Sequence, residues 1–459
     1  MGKAKVISLI LAFAVFFRLV VINQSFWLDE AISVLAANKF GYRELISEFA
    51  KYDFHPPLFY LILKFWGNIF GFSEVAVRLL PISFGVLSVW VVYKIARELK
   101  INGVVVALFM ATSPLHVYYS QEVRMYPIAA FFVALSFLFF IKLLKNQTPK
   151  VWALFSVSLL VFMTLDYVPV FILPVFWMIP IFAKKKKEFY LKLGLSFLPL
   201  FLMFVFWLPT FTVQLTSGRE LSRSLPLWTR VVGSPTLKEL ALIWVKFIVG
   251  RITFFNKFLY SLVILAVSVF FGYTFLNGMK AKMRTLGIWF LAPVFLGFLF
   301  SFFVPAFSYF RFLFLLPAFY LIIASGVRSK LAIGILVGIN LICLGFYYSN
   351  KNNWREEWRE AVSFVEINAK NDEIALFEFK EPFAPWEWYS TGSVAAEGAK
   401  DKNVQDLVKD KKGVWHFEYL ADITDPEKAL LKDIAAEGFI EVSQTSFRGV
   451  GKVTYLRRS

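Results

Sequence analysis

Apolar runs of membrane-spanning length, joined by short basic linkers, constrain this chain more than any other feature. A bilayer-spanning helix takes roughly 20 predominantly apolar residues, with shorter ones near 17. Eleven segments meet or approach that length, at 6–22, 79–96, 104–119, 126–144, 151–165, 168–183, 190–210, 258–276, 286–304, 310–326 and 331–348. With 58% of its 459 residues hydrophobic and only 18% charged, the chain has more apolar surface than a water-soluble core can hide. The same composition excludes intrinsic disorder, and a single cysteine, Cys343, excludes a disulfide scaffold. The expected class is an all-α polytopic membrane protein.

The formal charge of +17 would suit a nucleic-acid binder, but its distribution does not. Residues 1–348 carry 33 Lys+Arg against 12 Asp+Glu, whereas residues 349–459 carry 16 against 20. If Lys3 and Lys5 face the cytoplasm, the alternate linkers add 16 basic residues to make 18 on that side, including Lys94, Arg97, Lys184 to Lys187 and Lys280 to Arg284. Of the 12 acids in the membrane part, only Glu98 and Glu188 accompany them. This is a positive-inside pattern, not the basic stripe of a nucleic-acid surface. It predicts a multi-pass protein of the cell membrane with a cytoplasmic amino terminus, and an odd number of spans then puts the carboxyl-terminal part outside.

Two domains follow: a transmembrane module at 1–348 and an extracytoplasmic soluble α/β domain at 349–459. The module has two long outer loops, 23–78 and 211–257. The first holds an amphipathic stretch at 31–49 and a 13-residue apolar run at 58–70, too short to span and suited to an interfacial helix. The second has an amphipathic stretch at 237–249. In the tail, helical patterns at 354–369 and 404–411 alternate with strand patterns at 373–379 and 413–419. Asp425-Pro426 reads as a helix start, Gly438 as its end, and two more strands follow. The tail has no nucleotide loop or metal spacing and is expected to serve acceptor choice.

The chemistry-bearing residues gather in the outer loops. W-L-D-E places Asp29 and Glu30 together just past the first run. H-P-P-L-F-Y follows at His55–Tyr60, then G-F-S-E-V-A-V-R-L-L-P at Gly71–Pro81 with Arg78. After the third run, S-P-L-H-V-Y-Y-S-Q-E-V-R-M-Y carries Glu122, Arg124 and Tyr126. Each has a plainer reading: acids marking an interface, prolines starting a helix, a tyrosine belt, an arginine snorkelling to headgroups. His55, His116 and His416 form no ligand spacing, and His116 reads better as an interfacial residue than as a ligand.

Taken together, these strings resemble the polyprenyl-phosphate-sugar-dependent glycosyltransferases of the type C (GT-C) membrane fold, the relatives of the protein O-mannosyltransferases and the aminoarabinose transferase. The likeness is closest over Trp27–Tyr126. The Tyr309–Phe319 segment is similar to the family's R-Y-L-L-P segment, with Phe312 in place of Tyr, and Trp358–Val365 looks like the start of the family's outer domain. The resemblance implies a polyprenyl-phosphate-linked sugar donor and an acceptor hydroxyl on a lipid, glycan or protein, joined on the outer face with inversion. It implies Asp29 as general base with Glu30 beside it, and Arg124, Arg311 and Arg78 at the donor phosphate. His55, Glu122 and Tyr126 would meet the acceptor or a divalent cation, no cofactor being otherwise implied. A lipid or sugar transporter without covalent chemistry is the alternative, but transporters place polar groups near the midplane, whereas these acids sit at the outer interface.

A cysteine introduced at Ser390 should therefore react with a membrane-impermeant maleimide in intact cells. Reaction only after the cytoplasm is opened would reverse the topology.

Overall fold

The computed structural model describes residues 2–225, 227 and 232–459, so part of the second long loop lies outside the described residues. The chain divides into two compact units: the first takes most of residues 1–353, and the second unites Asn23–Lys39 with Trp354–Ser459. The first unit is helical, and each of the eleven expected runs is a helix or a pair of helices. By length and hydropathy alone, six continuous stretches among the described residues are long enough to cross a membrane, or seven with one bent pair. One of the six, Lys257–Phe300, covers two expected runs, and the expected runs at 6–22, 151–165 and 168–183 form shorter apolar helices.

The run at 104–119 is not continuous. Gly103–Thr112 and Pro114–Ser120 meet at a 60° bend. Pro114 has no N–H to donate and disfavours helical backbone at Ser113, which adopts φ −58°, ψ 116° and caps the second helix by accepting from the His116 N–H. The bend leaves the last carbonyls of Gly103–Thr112 without helical partners. Arg18 Nη1 donates to the Ala111 carbonyl at 3.3 Å, and Asn340 Nδ2 to Thr112 Oγ1 at 3.1 Å. Arg18 is fully buried, and its remaining donors reach the Ala14 carbonyl, Ser120 Oγ and His116 Nδ1 at 2.9, 3.1 and 2.6 Å. His116 is thus a partner of a buried guanidinium. A second departure is the Lys187–Ser224 helix, whose 38 residues run well past the expected end at Thr210.

Close packing without a hydrophobic driving force needs small residues at helix crossings. The Lys257–Lys282 and Leu316–Gly326 helices cross through a reciprocal pair of glycines. A Cβ on Gly278 would lie 1.9 Å from the Ile322 carbonyl oxygen, and one on Gly326 the same 1.9 Å from that of Thr274. The 13-residue helix Leu58–Phe70 forms as expected. The amphipathic stretch at 31–49 is instead divided between Leu28–Lys39 and a short helical segment from Tyr42.

The second unit carries a five-stranded sheet of order β2-β1-β3-β5-β4, from β1 (Glu373–Phe377), β2 (Ala395–Gly398), β3 (Gly413–Phe417), β4 (Phe439–Phe447) and β5 (Gly451–Arg458). The first three pair in parallel and the last two antiparallel. Every residue of β1 and β3 is buried, because helices cover both faces. On one face Trp358, Phe377, Trp386 and Phe417 form the core, with Leu28 packed against it; on the other lie Leu376, Val414, Leu430 and Ile434. The helix expected to start at Asp425-Pro426 begins at Ala429. Asp425 does cap it, but from four residues back, its two oxygens accepting from the Ala429 and Leu430 N–H groups at 2.8 and 2.9 Å. His416 is internal to this sheet, its Nε2 3.0 Å from Glu378.

Gly278→Ala should destabilise the detergent-solubilised protein by about 1–3 kcal/mol, since its methyl meets backbone that cannot yield. Gly334→Ala, with nothing within 4 Å, should be neutral or slightly stabilising in the same thermal unfolding measurement.

Candidate active site

In the first unit, three arginines are arranged around a connected set of aromatic rings. The Leu237–Val249 helix ends at Gly250, whose φ of +74° and contact with Pro114, at 2.7 Å from a notional Cβ, let the chain turn tightly there. The turn delivers Arg251, which donates from Nη1 to Tyr118 Oη at 2.9 Å and lies 4.7 Å from that ring's centroid. Tyr118 meets Tyr119, Tyr119 stacks on Phe310 at 6.2 Å, and Tyr126 packs its edge on Phe310 at 5.4 Å. Arg124 lies 5.9 Å from the Tyr126 ring and Arg311 5.6 Å from the Phe310 ring. Glu122, 1% exposed, is within electrostatic reach of Arg251 and Tyr119. Glu122, Arg124, Tyr126 and Arg311 thus belong to one cluster. Arg78 is fully buried and donates to the Ile22 carbonyl at 2.7 Å, which ties it to the end of the first helix.

His55 joins this cluster through Arg124. Asp53 Oδ2 accepts from the backbone N–H of His55 at 3.1 Å, from its Nδ1 at 3.2 Å and from Tyr60 Oη at 2.7 Å. Arg124 Nη2 stands 3.5 Å from His55 Nε2. A carboxylate only accepts and a guanidinium only donates, so the proton of the imidazole sits on Nδ1 and the Nε2 lone pair faces Arg124. The chain Asp53, His55, Arg124 therefore holds the arginine in place. Burial would raise the Asp53 carboxyl, but the hydrogen bonds and charges of His55, Arg124 and Tyr60 prevail and hold it down at about 2. A divalent cation does not fit His55, since the coordinating nitrogen would face a guanidinium. Among the described residues no three His, Cys, Asp or Glu side chains come together to hold a metal.

Asp29 and Glu30 belong to the second unit, in the first turn of the Leu28–Lys39 helix, where negative charge opposes the positive end of the helix dipole. Glu30 is fully buried, with Arg355 Nε 3.6 Å from its carboxylate; Asp29 is partly exposed, and its backbone carbonyl accepts from Ser33 Oγ at 2.7 Å.

Residues 54–213 match the family model described as dolichyl-phosphate-mannose-protein mannosyltransferase. Over 99% of this chain, the structure is similar to that of ArnT from Cupriavidus metallidurans bound to undecaprenyl phosphate, with 11% identity, a TM-score of 0.59 and 98% of that chain covered. The apo state of the same protein gives a TM-score of 0.58 at 12% identity, covering 99% of this chain and 97% of that one. The chain has the type C glycosyltransferase fold. The oligosaccharyltransferase of Archaeoglobus fulgidus in its apo form is also similar, with a TM-score of 0.50 at 11% identity over 90% of this chain and 69% of that one. No curated protein matches the chain in sequence.

Within this type C fold, several residues of the two clusters escaped the sequence reading. Asp53 stands two residues before the H-P-P string and was legible there as a neighbour of His55. Arg251 follows a glycine at the end of an amphipathic helix and belongs to no string. Arg355 and Glu356 are remote in sequence from Asp29 and Glu30.

Asp53→Asn should release the tautomer of His55 and loosen Arg124. The expected result is a Kd for polyprenyl phosphate raised roughly tenfold, about 1.4 kcal/mol, in a binding measurement on the purified protein. Because folding lowers the Asp53 pKa from 3.8 to about 2, its stabilising contribution is complete above pH 3.8 and is lost as the pH falls through about 2. The Asn variant should lack that part of the acid unfolding curve.

Proposed function

We propose that this protein transfers a sugar from a polyprenyl-phosphate donor to an acceptor hydroxyl on the outer face of the membrane. The observation that carries the reading is the set of three arginines on a connected aromatic surface, within a type C fold. Such a surface suits a phosphate joined to a sugar: guanidinium groups pair with phosphate oxygens in two-pronged fashion, and rings take the flat face of a pyranose or furanose. The similar ArnT structure holds undecaprenyl phosphate, the carrier that remains when a sugar leaves such a donor.

The chemistry needs few parts. The donor already has an activated anomeric carbon, bonded to a phosphate oxygen. As the acceptor oxygen attacks that carbon, the bond to phosphate breaks, its electron pair passes to the phosphate oxygen, and the anomeric centre inverts. Arg124, Arg311 and Arg251 offset the charge growing on the leaving phosphate, which is the largest electrostatic demand of the step. Asp29 takes the acceptor proton. Glu122 and Tyr126 line the donor side, and Asp53 with His55 keeps Arg124 oriented. Arg78 acts as an anchor of the first loop. Glu30 is paired with Arg355 inside the second unit, which suits a supporting part more than a reacting one.

The test is transfer from a radiolabelled polyprenyl-phosphate sugar by the purified protein in lipid nanodiscs. Asp29→Asn should lower turnover by about 10² to 10⁴-fold with little change in donor affinity. Arg124→Ala should instead weaken donor binding. Glu30→Gln should lower thermal stability more than it lowers turnover, since it leaves Arg355 as a buried charge with a weaker partner. Turnover of Asp29→Asn within a few-fold of wild type would refute the assigned base.

A further inference from the structure

The segment that carries Asp29 is joined to the carboxyl-terminal part of its own unit almost residue by residue. The Arg355 N–H donates to Gln24 Oε1 and the Phe26 N–H to Tyr389 Oη, both at 2.7 Å. Ser25 Oγ donates to the Glu356 carbonyl, and the Leu28 N–H to the Glu356 carboxylate. That carboxylate also accepts from Trp358 Nε1 at 2.8 Å and from Tyr419 Oη, which is 3.1 Å from each oxygen. Gly449, at φ +76°, leaves no gap on the remaining side, since a Cβ there would lie 2.6 Å from Glu356 Cγ. Glu356 is therefore fixed against the first turn of the Leu28–Lys39 helix, one residue before Asp29.

We propose that Glu356 is a positioning residue for Asp29, holding the turn that carries it and setting the charge of the carboxyl pair, so that the carboxyl-terminal part of the chain takes part in the chemical step. This rests on the reading of Asp29 as the base.

Burial pushes the Glu356 carboxyl up, the hydrogen bonds from Trp358, Tyr419 and Leu28 pull against it, and the negative charge of Asp29 adds to the rise, leaving it at about 7. The other charges nearby are already paired, Arg355 with Glu30 at 3.6 Å and Arg448 with Glu357 at 2.8 Å. Tyr419 keeps its proton, its phenol pushed well up by burial and by Glu356. When Asp29 takes the acceptor proton its charge vanishes, Glu356 holds its own proton less tightly and releases it to water, and the pair keeps one negative charge. Above neutral pH, ionised Glu356 adds a negative charge beside the turn that carries Asp29.

The coupling can be read without catalysis, from the infrared carboxyl band of the full-length protein in nanodiscs as a function of pH. A protonated-carboxyl band should disappear around pH 7 in the wild type, be missing in Glu356→Gln, and move to lower pH in Asp29→Asn. Tyr419→Phe removes a donor to the carboxylate and should move the transition up. Turnover should rise several-fold through pH 7 in the wild type and stay flat in Glu356→Gln, with donor KM unchanged. A band that does not move in Asp29→Asn, or a Glu356→Gln protein that loses thermal stability yet keeps the wild-type pH profile, would overturn the proposal. A band that moves as expected in an Asp29→Asn protein of normal turnover would overturn the base assignment and leave the coupled pair standing.

Discussion

A guanidinium buried in an apolar helix survives only where every donor finds an acceptor, and Arg18 meets that condition by drawing the third run into a particular shape. Its partners are a carbonyl freed by the Ser113–Pro114 bend, a hydroxyl at Ser120 and the imidazole of His116. Gln121 continues the tie by donating to the Arg18 and Val20 carbonyls, while its own oxygen accepts from Tyr347 Oη at 2.8 Å. The stretch from His116 to Gln121 is thus fixed from both sides. The next residues, Glu122, Arg124 and Tyr126, inherit their positions from it.

The two clusters solve different electrostatic problems. The first unit gathers positive charge beside aromatic rings and keeps Arg124 oriented through the His55 imidazole, with Asp53 holding the countercharge one residue further away. The second unit gathers negative charge at the start of one helix. There a buried ion pair, Glu30 with Arg355, takes up one carboxylate, and burial tends to keep Glu356 protonated, so three acids near one turn do not add up to three charges.

The compact units also revise the simple division at residue 348. Asn23–Lys39 packs with the carboxyl-terminal sheet: Leu28 touches its aromatic core, and Lys39 pairs with Glu387. The first 17 residues of the long loop following the first helix have in effect become part of the sheet domain. The acids proposed for chemistry therefore share a scaffold with β-strands lying more than 300 residues further along the chain.

The helical class, the approximate position of each apolar run, the existence of the sheet domain and most of the arginines around the aromatic cluster were legible in the sequence. Each of these depends on local properties: hydropathy summed over about 20 residues, alternation within strands, or residues a few positions apart on one turn. The tertiary structure decided what depends on distant partners. The bend at Ser113 needed Arg18 for the Ala111 carbonyl and Asn340 for that of Phe109. Arg251 reached the tyrosines because Gly250 allowed a turn against Pro114. Glu356 became a neighbour of Asp29 through side chain-to-backbone hydrogen bonds spanning some 330 positions, which leave no periodic mark in either segment. Apolar patterning reports how each stretch meets its solvent, whereas the pairing of buried polar groups is a property of the fold as a whole.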